Sequence, residues 1–165
     1  MQDGDLTPIH DGLIVLDHDG VPALVHDGSP PEVMRKRIDQ LVQAMLEVAG
    51  DDPKPPCEES LECGLYTRKL FIPAGTLLAG RVHKTACMNI VAAGDITVLT
   101  EFGLRRLTAG FTGTSPPGIR KIGYANADTI FINVFRTDAR SVEEVEEECV
   151  FPPEFVHANT TMIEA

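Results

Sequence analysis

The chain has 165 residues, 43% of them hydrophobic, and its 25 acidic against 14 basic side chains leave a formal charge of −11 at pH 7. This is the composition of one acidic globular domain, and its charge disfavours binding to nucleic acid or to an anionic membrane surface. No apolar run approaches the roughly 18 to 20 residues that span a bilayer, and no signal peptide is evident, so we expect a cytoplasmic protein. The four cysteines, Cys57, Cys63, Cys87 and Cys149, are predicted to be reduced thiols or metal ligands.

The first thirty residues contain the tripeptide His-Asp-Gly three times, ending at Gly12, Gly20 and Gly28. Short apolar runs over 13–16 and 21–25 lie between the repeats. Because Asp-Gly supplies the positive φ angles of tight turns, the pattern favours short strands joined by turns. A metal cluster built from the histidine and aspartate side chains is the alternative.

A long amphipathic helix is predicted after Ser29, which can cap it and which forms a Ser-x-x-Glu box with Glu32. Apolar side chains then recur at intervals of three and four, which makes one stripe: Met34, Ile38, Leu41, Val42 and Met45. Gly50 is a natural terminator, and the proline-rich stretch 51–56 indicates a linker and a domain boundary. Since the stripe needs a covering surface and exposed sheet edges often pair, we expect a homodimer or a higher homo-oligomer.

From residue 65 to residue 136 short apolar runs alternate with Gly, Pro and Asp, a pattern typical of an antiparallel sandwich or barrel. Strands are predicted over 66–72, 77–82, 88–92, 96–100, 105–107, 119–125 and 129–135. Ser141-Val142-Glu143-Glu144 repeats the capping box and opens a short acidic helix. The predicted organisation is an N-terminal segment over 1–56, a barrel with its acidic helix over 57–150, and a tail over 151–165.

Two glycine-bounded motifs occupy the middle of the chain. The first runs from Gly75 through Arg81-Val82-His83 and Cys87 to Gly94; the second runs from Gly110 through Pro116-Pro117-Gly118 and Lys121 to Ala125. In order and spacing they resemble the two motifs of the cupin superfamily. The resemblance implies a mainly β protein, with a cupin-type antiparallel jelly-roll barrel over about 57–136.

Four further stretches, 65–68, 72–76, 83–90 and 117–125, are similar to small cupin-like proteins of unassigned function from phage and prophage genomes. This closer resemblance covers about residues 57–150. In that group the place of Phe135 is often taken by histidine. A phage-encoded protein of this kind would work in the host cytoplasm.

In cupins, two histidines and a glutamate of the first motif and a histidine of the second hold a divalent metal inside the barrel. Only His83 keeps the ligand residue here, and Arg81, Cys87 and Lys121 stand in the other places. Arg81 and His83 would share one face of an extended strand, and the motif frame directs Cys87 and Lys121 into the same cavity. The sequence therefore predicts one pocket lined by these four side chains.

The first candidate ligand is a metal such as zinc, because imidazole and thiolate groups like those of His83 and Cys87 bind it. Its remaining ligands would have to come from Asn89, Glu101, a distant histidine or a partner subunit. Arg81 and Lys121 would oppose a cation, which motivates the second candidate, a small anionic molecule. The residues expected to hold that anion are Arg81, His83, Lys121, Arg120 and Asn133.

Three functions stay open on this reasoning. The barrel binds a small molecule with a degenerate metal site; or it is a metal-dependent enzyme of the oxygenase or isomerase type that uses His83 and Cys87; or it is a structural or interaction protein of a phage. The sequence contains neither Gly-x-Ser-x-Gly nor Gly-x-Gly-x-x-Gly, so a serine hydrolase and a dinucleotide-binding enzyme are not supported.

Overall fold

The helices and strands come from a computed structural model, which describes residues 7–9, 12–49 and 55–152. The N-terminal elements are β1 (Thr7–Ile9), β2 (Ile14–Leu16), β3 (Pro22–Leu24) and α1 (Pro31–Ala49). The barrel strands are β4 (Cys57–Glu62), β5 (Leu65–Ile72), β6 (Leu77–Ala79), β7 (Cys87–Ala93), β8 (Asp95–Thr100), β9 (Gly103–Thr108), β10 (Thr112–Ser115), β11 (Ile122–Ala125) and β12 (Thr129–Arg136). The second helix, α2 (Val142–Cys149), follows them.

The barrel consists of two antiparallel sheets. One has the strand order β10-β7-β12-β5-β4, and the other has the order β6-β11-β8-β9. The chain from β5 to β12 thus crosses repeatedly from one sheet to the other. The resulting strand order is that of two Greek keys, which defines a jelly roll. The predicted mainly β, jelly-roll fold is confirmed.

Alternating side chains fill the space between the sheets. On β5, Tyr66 and Ile72 are buried, and on β12 Thr129, Phe131 and Phe135 are buried. The two strands pair over their whole length, from Thr129 opposite Ile72 to Arg136 opposite Leu65. Every second residue of each strand therefore faces the interior, which fixes the side chains available to a site there.

The strand predicted over 77–82 ends at Ala79, so Arg81 and His83 do not lie on one regular strand. Beyond Ala79 the chain leaves the sheet, and His83 forms a single antiparallel bridge with Val150. The prediction that Arg81 and His83 share one face of an extended strand is therefore wrong. Their positions are set instead by the segment that follows α2.

Two of the barrel strands were not predicted. The sequence of β4 is Cys-Glu-Glu-Ser-Leu-Glu, and nearly all of it is exposed at the edge of its sheet. A charged edge strand protects a sheet from pairing with other chains, and it lacks the apolar alternation that marks an inner strand. The other strand, β10, is a short polar edge strand, and the strand expected over 119–125 begins only at Ile122.

The predicted helix packs on the outer face of the four-stranded sheet. Its buried stripe joins one core cluster with residues of β8 and β11, which includes Met34, Ile38, Leu41, Val42, Leu99 and Ile122. Ser29 does not cap the helix, because its hydroxyl donates to Asp27 at 2.5 Å and the first amides bond to the carbonyl of Pro30. Gly50 and residues 51–54 of the expected linker lie outside the described residues, and the division of the chain at residue 56 stays a prediction.

The N-terminal repeats form turns. Gly12, Gly20 and Gly28 have φ angles of 80°, 78° and 83°, so the strand-and-turn interpretation is confirmed for them. His26 is held by the backbone, since its Nδ1 accepts from the Gly28 amide at 3.0 Å and its Nε2 lies 3.1 Å from the carbonyl oxygen of Glu101. His10 and Asp11 of the first repeat lie outside the described residues.

The second helix covers one end of the barrel. It begins as predicted at an N-cap serine, Ser141, whose hydroxyl accepts from the Glu144 amide at 3.2 Å. Val145 and Cys149 on its buried face pack against Tyr66, Cys87 and Phe135 of the barrel. Residues 153–165 of the expected tail lie outside the described residues. No helix among the described residues is long and apolar enough to cross a membrane.

Candidate ligand site inside the barrel

A cavity of about 370 Å³ lies between the two sheets, at the end that α2 covers. We call it the α2-side cavity. Both sheets supply its apolar walls, which include Leu70, Ile72, Ile96, Val98 and Phe131. The charged and polar side chains in its lining are Tyr66, Arg68, Arg81, His83, Lys121, Asn133 and Glu146. A concave apolar site with a few convergent polar groups is the usual form of a small-molecule site.

His83 contributes a neutral imidazole to the cavity. Its ring stands edge-on to the ring of Phe135, with 4.7 Å between centroids, and its Nδ1 lies 3.3 Å from the Sγ of Cys87. Burial, assisted by the nearby charges of Lys121 and Arg68, lowers the pKa of His83 to about 3. The side chain is therefore uncharged at neutral pH and can take part in hydrogen bonds but not in an ion pair.

Asn89, on β7, is the centre of a buried polar network beside the cavity. Its Oδ1 accepts from Lys121 Nζ at 3.0 Å and from Asn133 Nδ2 at 2.8 Å, and the thiol of Cys87 donates to it at 3.5 Å. Its Nδ2 donates to Ser115 Oγ at 2.7 Å. An amide oxygen has two lone pairs, and the two nitrogen donors, Lys121 and Asn133, already occupy them.

Arg81 lies in the lining, but its guanidinium is already engaged. It donates through NH1 to Glu146 Oε2 at 2.9 Å and through Nε to the carbonyl oxygen of Phe151 at 3.0 Å. Both partners belong to α2 or to the residues after it, so Arg81 holds this end of the chain against the barrel. Its capacity to bind a ligand is correspondingly reduced.

Arg68 was not among the residues predicted for the site, although it lines the cavity. Its Nε is buried and has no hydrogen-bond partner, and no ion pair with a carboxylate is formed within the described part of the chain. Glu59 lies directly across from it on β4, but the carboxylate of Glu59 accepts from the hydroxyl of Tyr66 at 2.5 Å. The signal for Arg68 was its position two residues from Tyr66, on the inward side of β5.

Lys121 separates the α2-side cavity from a second one of about 440 Å³, which we call the β9-side cavity. Val98, Lys121 and Phe131 line both cavities. Burial lowers the pKa of the Lys121 amine, and the nearby thiol of Cys87 acts in the opposite sense. In the β9-side cavity the other charged residue is Arg105, whose guanidinium lies 5.1 Å from the centre of the Phe111 ring.

The donor set does not fit a divalent metal. Within residues 7–9, 12–49 and 55–152, no three His, Cys, Asp or Glu side chains come together in an arrangement that could hold an ion. Burial raises the pKa of the Cys87 thiol, whereas a metal ligand must be the thiolate. The amide oxygen of Asn89 is fully used, and Arg68 and Lys121 would repel a cation at this place.

Two residues predicted for the site lie elsewhere. Arg120 is buried with its NH1 3.9 Å from Asp39 Oδ1, and the carboxylate of Glu101 accepts from Arg35 Nε at 2.7 Å. Asp39 and Arg35 both belong to α1, so these two pairs join that helix to the outer side of the barrel. Arg81, His83, Lys121 and Asn133 are brought together as predicted, and Cys87 lies behind His83 rather than in the lining.

Comparison with known proteins assigns neither a family nor a function to this chain. No family model matches the sequence, and no curated protein matches it. Similar solved structures include KdgF from Halomonas sp., with a TM-score of 0.45 and 17% identity over 51% of this chain and 79% of that one. A cupin-2 domain containing protein from Shewanella frigidimarina has a TM-score of 0.43 and 11% identity over 55% of this chain and 88% of that one.

A third similar structure is an uncharacterized conserved protein with a double-stranded β-helix domain from Klebsiella pneumoniae. Its TM-score is 0.46, with 19% identity over 54% of this chain and 83% of that one. Identities and scores at this level assign neither a ligand nor an activity. The fold assignment accordingly rests on the strand order, and the function has to be argued from the cavity.

Proposed function

We propose that the protein is a member of the cupin superfamily whose barrel binds a small anionic molecule without a metal. One observation carries the proposal. Arg68 and Lys121 both line the α2-side cavity, and neither pairs with a carboxylate within the described part of the chain. In a chain with 25 acidic side chains, two half-buried basic side chains without an acidic partner require an explanation.

Electrostatics supplies that explanation. A buried charge that lacks a partner costs free energy, and a bound anion removes that cost. Arg68 suits this role because a guanidinium offers a planar fork that matches a carboxylate or a phosphate. Lys121 adds a second nitrogen donor, and the neutral His83 and the amide of Asn133 add further hydrogen-bonding groups.

The walls of the cavity narrow the class of ligand. They are mainly aliphatic and aromatic, and the volume of about 370 Å³ is at the small end of the range for ligand pockets. A carboxylate with a compact apolar body therefore fits better than a sugar phosphate or an inorganic ion. Benzoate is a suitable probe of this class.

The proposal is tested by isothermal titration calorimetry with benzoate and with benzyl alcohol, which has a similar body without the charge. Arg68→Met should weaken benzoate binding by about tenfold or more, because it removes a charge-assisted pair. Lys69→Met is the matched control, since it makes the same change of charge one residue further along β5, on the opposite face. Equal binding of the two probes, or an equal loss in both variants, would contradict the proposal.

The phage origin, the cytoplasmic location and the homodimer or higher homo-oligomer remain predictions. The apolar stripe of α1, which motivated the homodimer, packs on the protein's own sheet, so self-association would have to use another surface. Light scattering at micromolar concentration tests it, and a monomer there would refute it. The metal-dependent enzyme is not supported, because the donor set does not fit a metal.

A further inference from the structure

Lys121 has an unusual position among the lysines. Of the lysine residues that the structure describes, it is the one whose side chain lines a cavity, and it lines both. Its amine donates to Asn89 Oδ1 at 3.0 Å and forms no ion pair within residues 7–9, 12–49 and 55–152. A small molecule that enters from either side can therefore reach this nitrogen.

The groups that share the α2-side cavity with this amine are mostly cationic or neutral. On the α2 side these are the cations Arg68 and Arg81 and the neutral His83; the carboxylate of Glu146 is bound to Arg81. On the β7 side there is the thiol of Cys87, whose own pKa is raised by burial. Burial lowers the pKa of Lys121, although the Cys87 thiol acts in the opposite sense, and a lysine desolvated in an apolar pocket is an activated nucleophile.

The charged neighbour in the β9-side cavity leads to the same conclusion. It is Arg105, an exposed cation stacked over Phe111, and no carboxylate stands among the lining residues of that cavity in the described part of the chain. Apolar walls surround the amine in both cavities, and the one carboxylate among the described lining residues, that of Glu146, is paired with Arg81. These are the conditions in which the lysine amine is most readily deprotonated.

We propose that Lys121 is a covalent binding site for small carbonyl compounds, aldehydes and 2-oxo acids, which it holds as an imine. The nitrogen lone pair attacks the carbonyl carbon, and a proton moves from nitrogen to the carbonyl oxygen, which gives a carbinolamine. Loss of the hydroxyl group with the remaining nitrogen proton, as one water molecule, forms the C=N bond. The overall change is amine plus carbonyl to imine plus water, and it needs no oxidant or reductant.

The preference for an acid among these carbonyl compounds rests on the proposed anion site. Arg68 and Lys121 both act on the pKa of His83, so all three groups lie close together in one cavity. In a 2-oxo acid the carboxylate is bonded directly to the carbonyl carbon. One small molecule can then place its carboxylate at Arg68 and its carbonyl at Lys121.

The experiment is reductive trapping of the full-length protein at pH 7 with sodium cyanoborohydride, which converts an imine to a stable secondary amine. Propanal probes the amine alone, and glyoxylate probes the amine together with the anion site. Peptide mass spectrometry follows each lysine over time, and the exposed Lys36 on α1 serves as the internal reference. We expect Lys121 to be modified at least about ten times faster than Lys36. This comparison is made within the wild-type protein, so it does not depend on the folding of a variant.

The outcomes separate this inference from the proposed function. Modification of Lys121 by both aldehydes at a rate no higher than that of Lys36 overturns the imine site, even if benzoate binds as expected. Selective modification by propanal, with no preference for glyoxylate and no effect of Arg68→Met on glyoxylate, supports the imine site and overturns the anion site. A preference for glyoxylate that Arg68→Met abolishes supports both. In Lys121→Arg the trapped adduct at this position should disappear.

Discussion

Glu146→Gln should tighten the binding of a carboxylate in the α2-side cavity. Glu146 is the one carboxylate among the lining residues that the structure describes, and its Oε2 lies 2.9 Å from NH1 of Arg81. The substitution keeps the shape of the side chain and an oxygen that can accept from Arg81. It removes a negative charge that opposes an incoming anion and that neutralises a cation of the lining.

The size of the effect follows from Coulomb's law. Two unit charges about 8 Å apart interact by about 2 kcal/mol at an effective dielectric constant of about 20, and by about 1 kcal/mol at about 40. The side chain of Glu146 is 43% exposed, whereas that of Arg81 is 16% exposed, so solvent screening favours the smaller value. We therefore expect about fivefold tighter binding of benzoate, which corresponds to about 1 kcal/mol.

Calorimetric titration with benzoate at low ionic strength measures this change. Glu147→Gln is the matched control, because it alters the net charge equally from an exposed position on the same helix. Its effect should stay within about twofold, since charges in water beyond about a Debye length are screened. Unchanged or weaker binding in Glu146→Gln, or an equal gain in both variants, would refute this account of the cavity.

Three further predictions concern stability. As pH falls from 6.5 towards 3, the free energy of unfolding of the wild type should fall by up to about 1.4 kcal/mol per pH unit, because His83 stays neutral in the fold while the unfolded chain takes up its proton. Urea unfolding of His83→Gln should show a smaller fall. An equal fall in both proteins would contradict the reasoning. Ser141→Ala should cost about 1 kcal/mol in urea unfolding by removing the cap of α2, and an unchanged midpoint would contradict it. Gly94→Ala should lower the free energy of unfolding by more than about 2 kcal/mol, because Gly94 has a φ of +90° and a Cβ there would lie 2.3 Å from a carbonyl oxygen. Gly103→Ala is the control, since there is open space around Gly103, and it should be nearly neutral in the same assay.

Turn residues and strand alternation explain how much of the fold could be predicted. The glycines of the two motifs, Gly75, Gly94, Gly110 and Gly118, all have positive φ angles, so their spacing located the corners of the barrel. The inner strands β5 and β12 are short runs bounded by turn residues, and they were predicted to within one residue. The edge strands β4 and β10 were missed because their sequences are mostly polar, so no apolar run marks them.

The part of the candidate site that depends on the spacing of the two glycine-bounded motifs could be predicted. The part that depends on contacts with distant segments of the chain could not. His83 and Lys121 share a cavity as the frame indicated. The pairing of Arg81 with Glu146 depends on how α2 folds back over the barrel, which no local pattern reveals. Arg68 was overlooked although it stands in register with buried residues of β5, because a charged residue in a strand usually faces water.

The polar network around Asn89 supports, in physical terms, the proposal of an anion rather than a cation in this barrel. A cation would need the thiolate of Cys87 and the oxygen of Asn89, but the thiol is held in its protonated form by burial and the oxygen already accepts from Lys121 and Asn133. Binding a metal would therefore require the loss of a proton and the displacement of an ammonium group, both against the field of neighbouring cations. An anion requires neither, because Arg68 already lines the cavity with an unused donor. In such a barrel the positive charge that a metal would supply is carried by side chains of the protein itself.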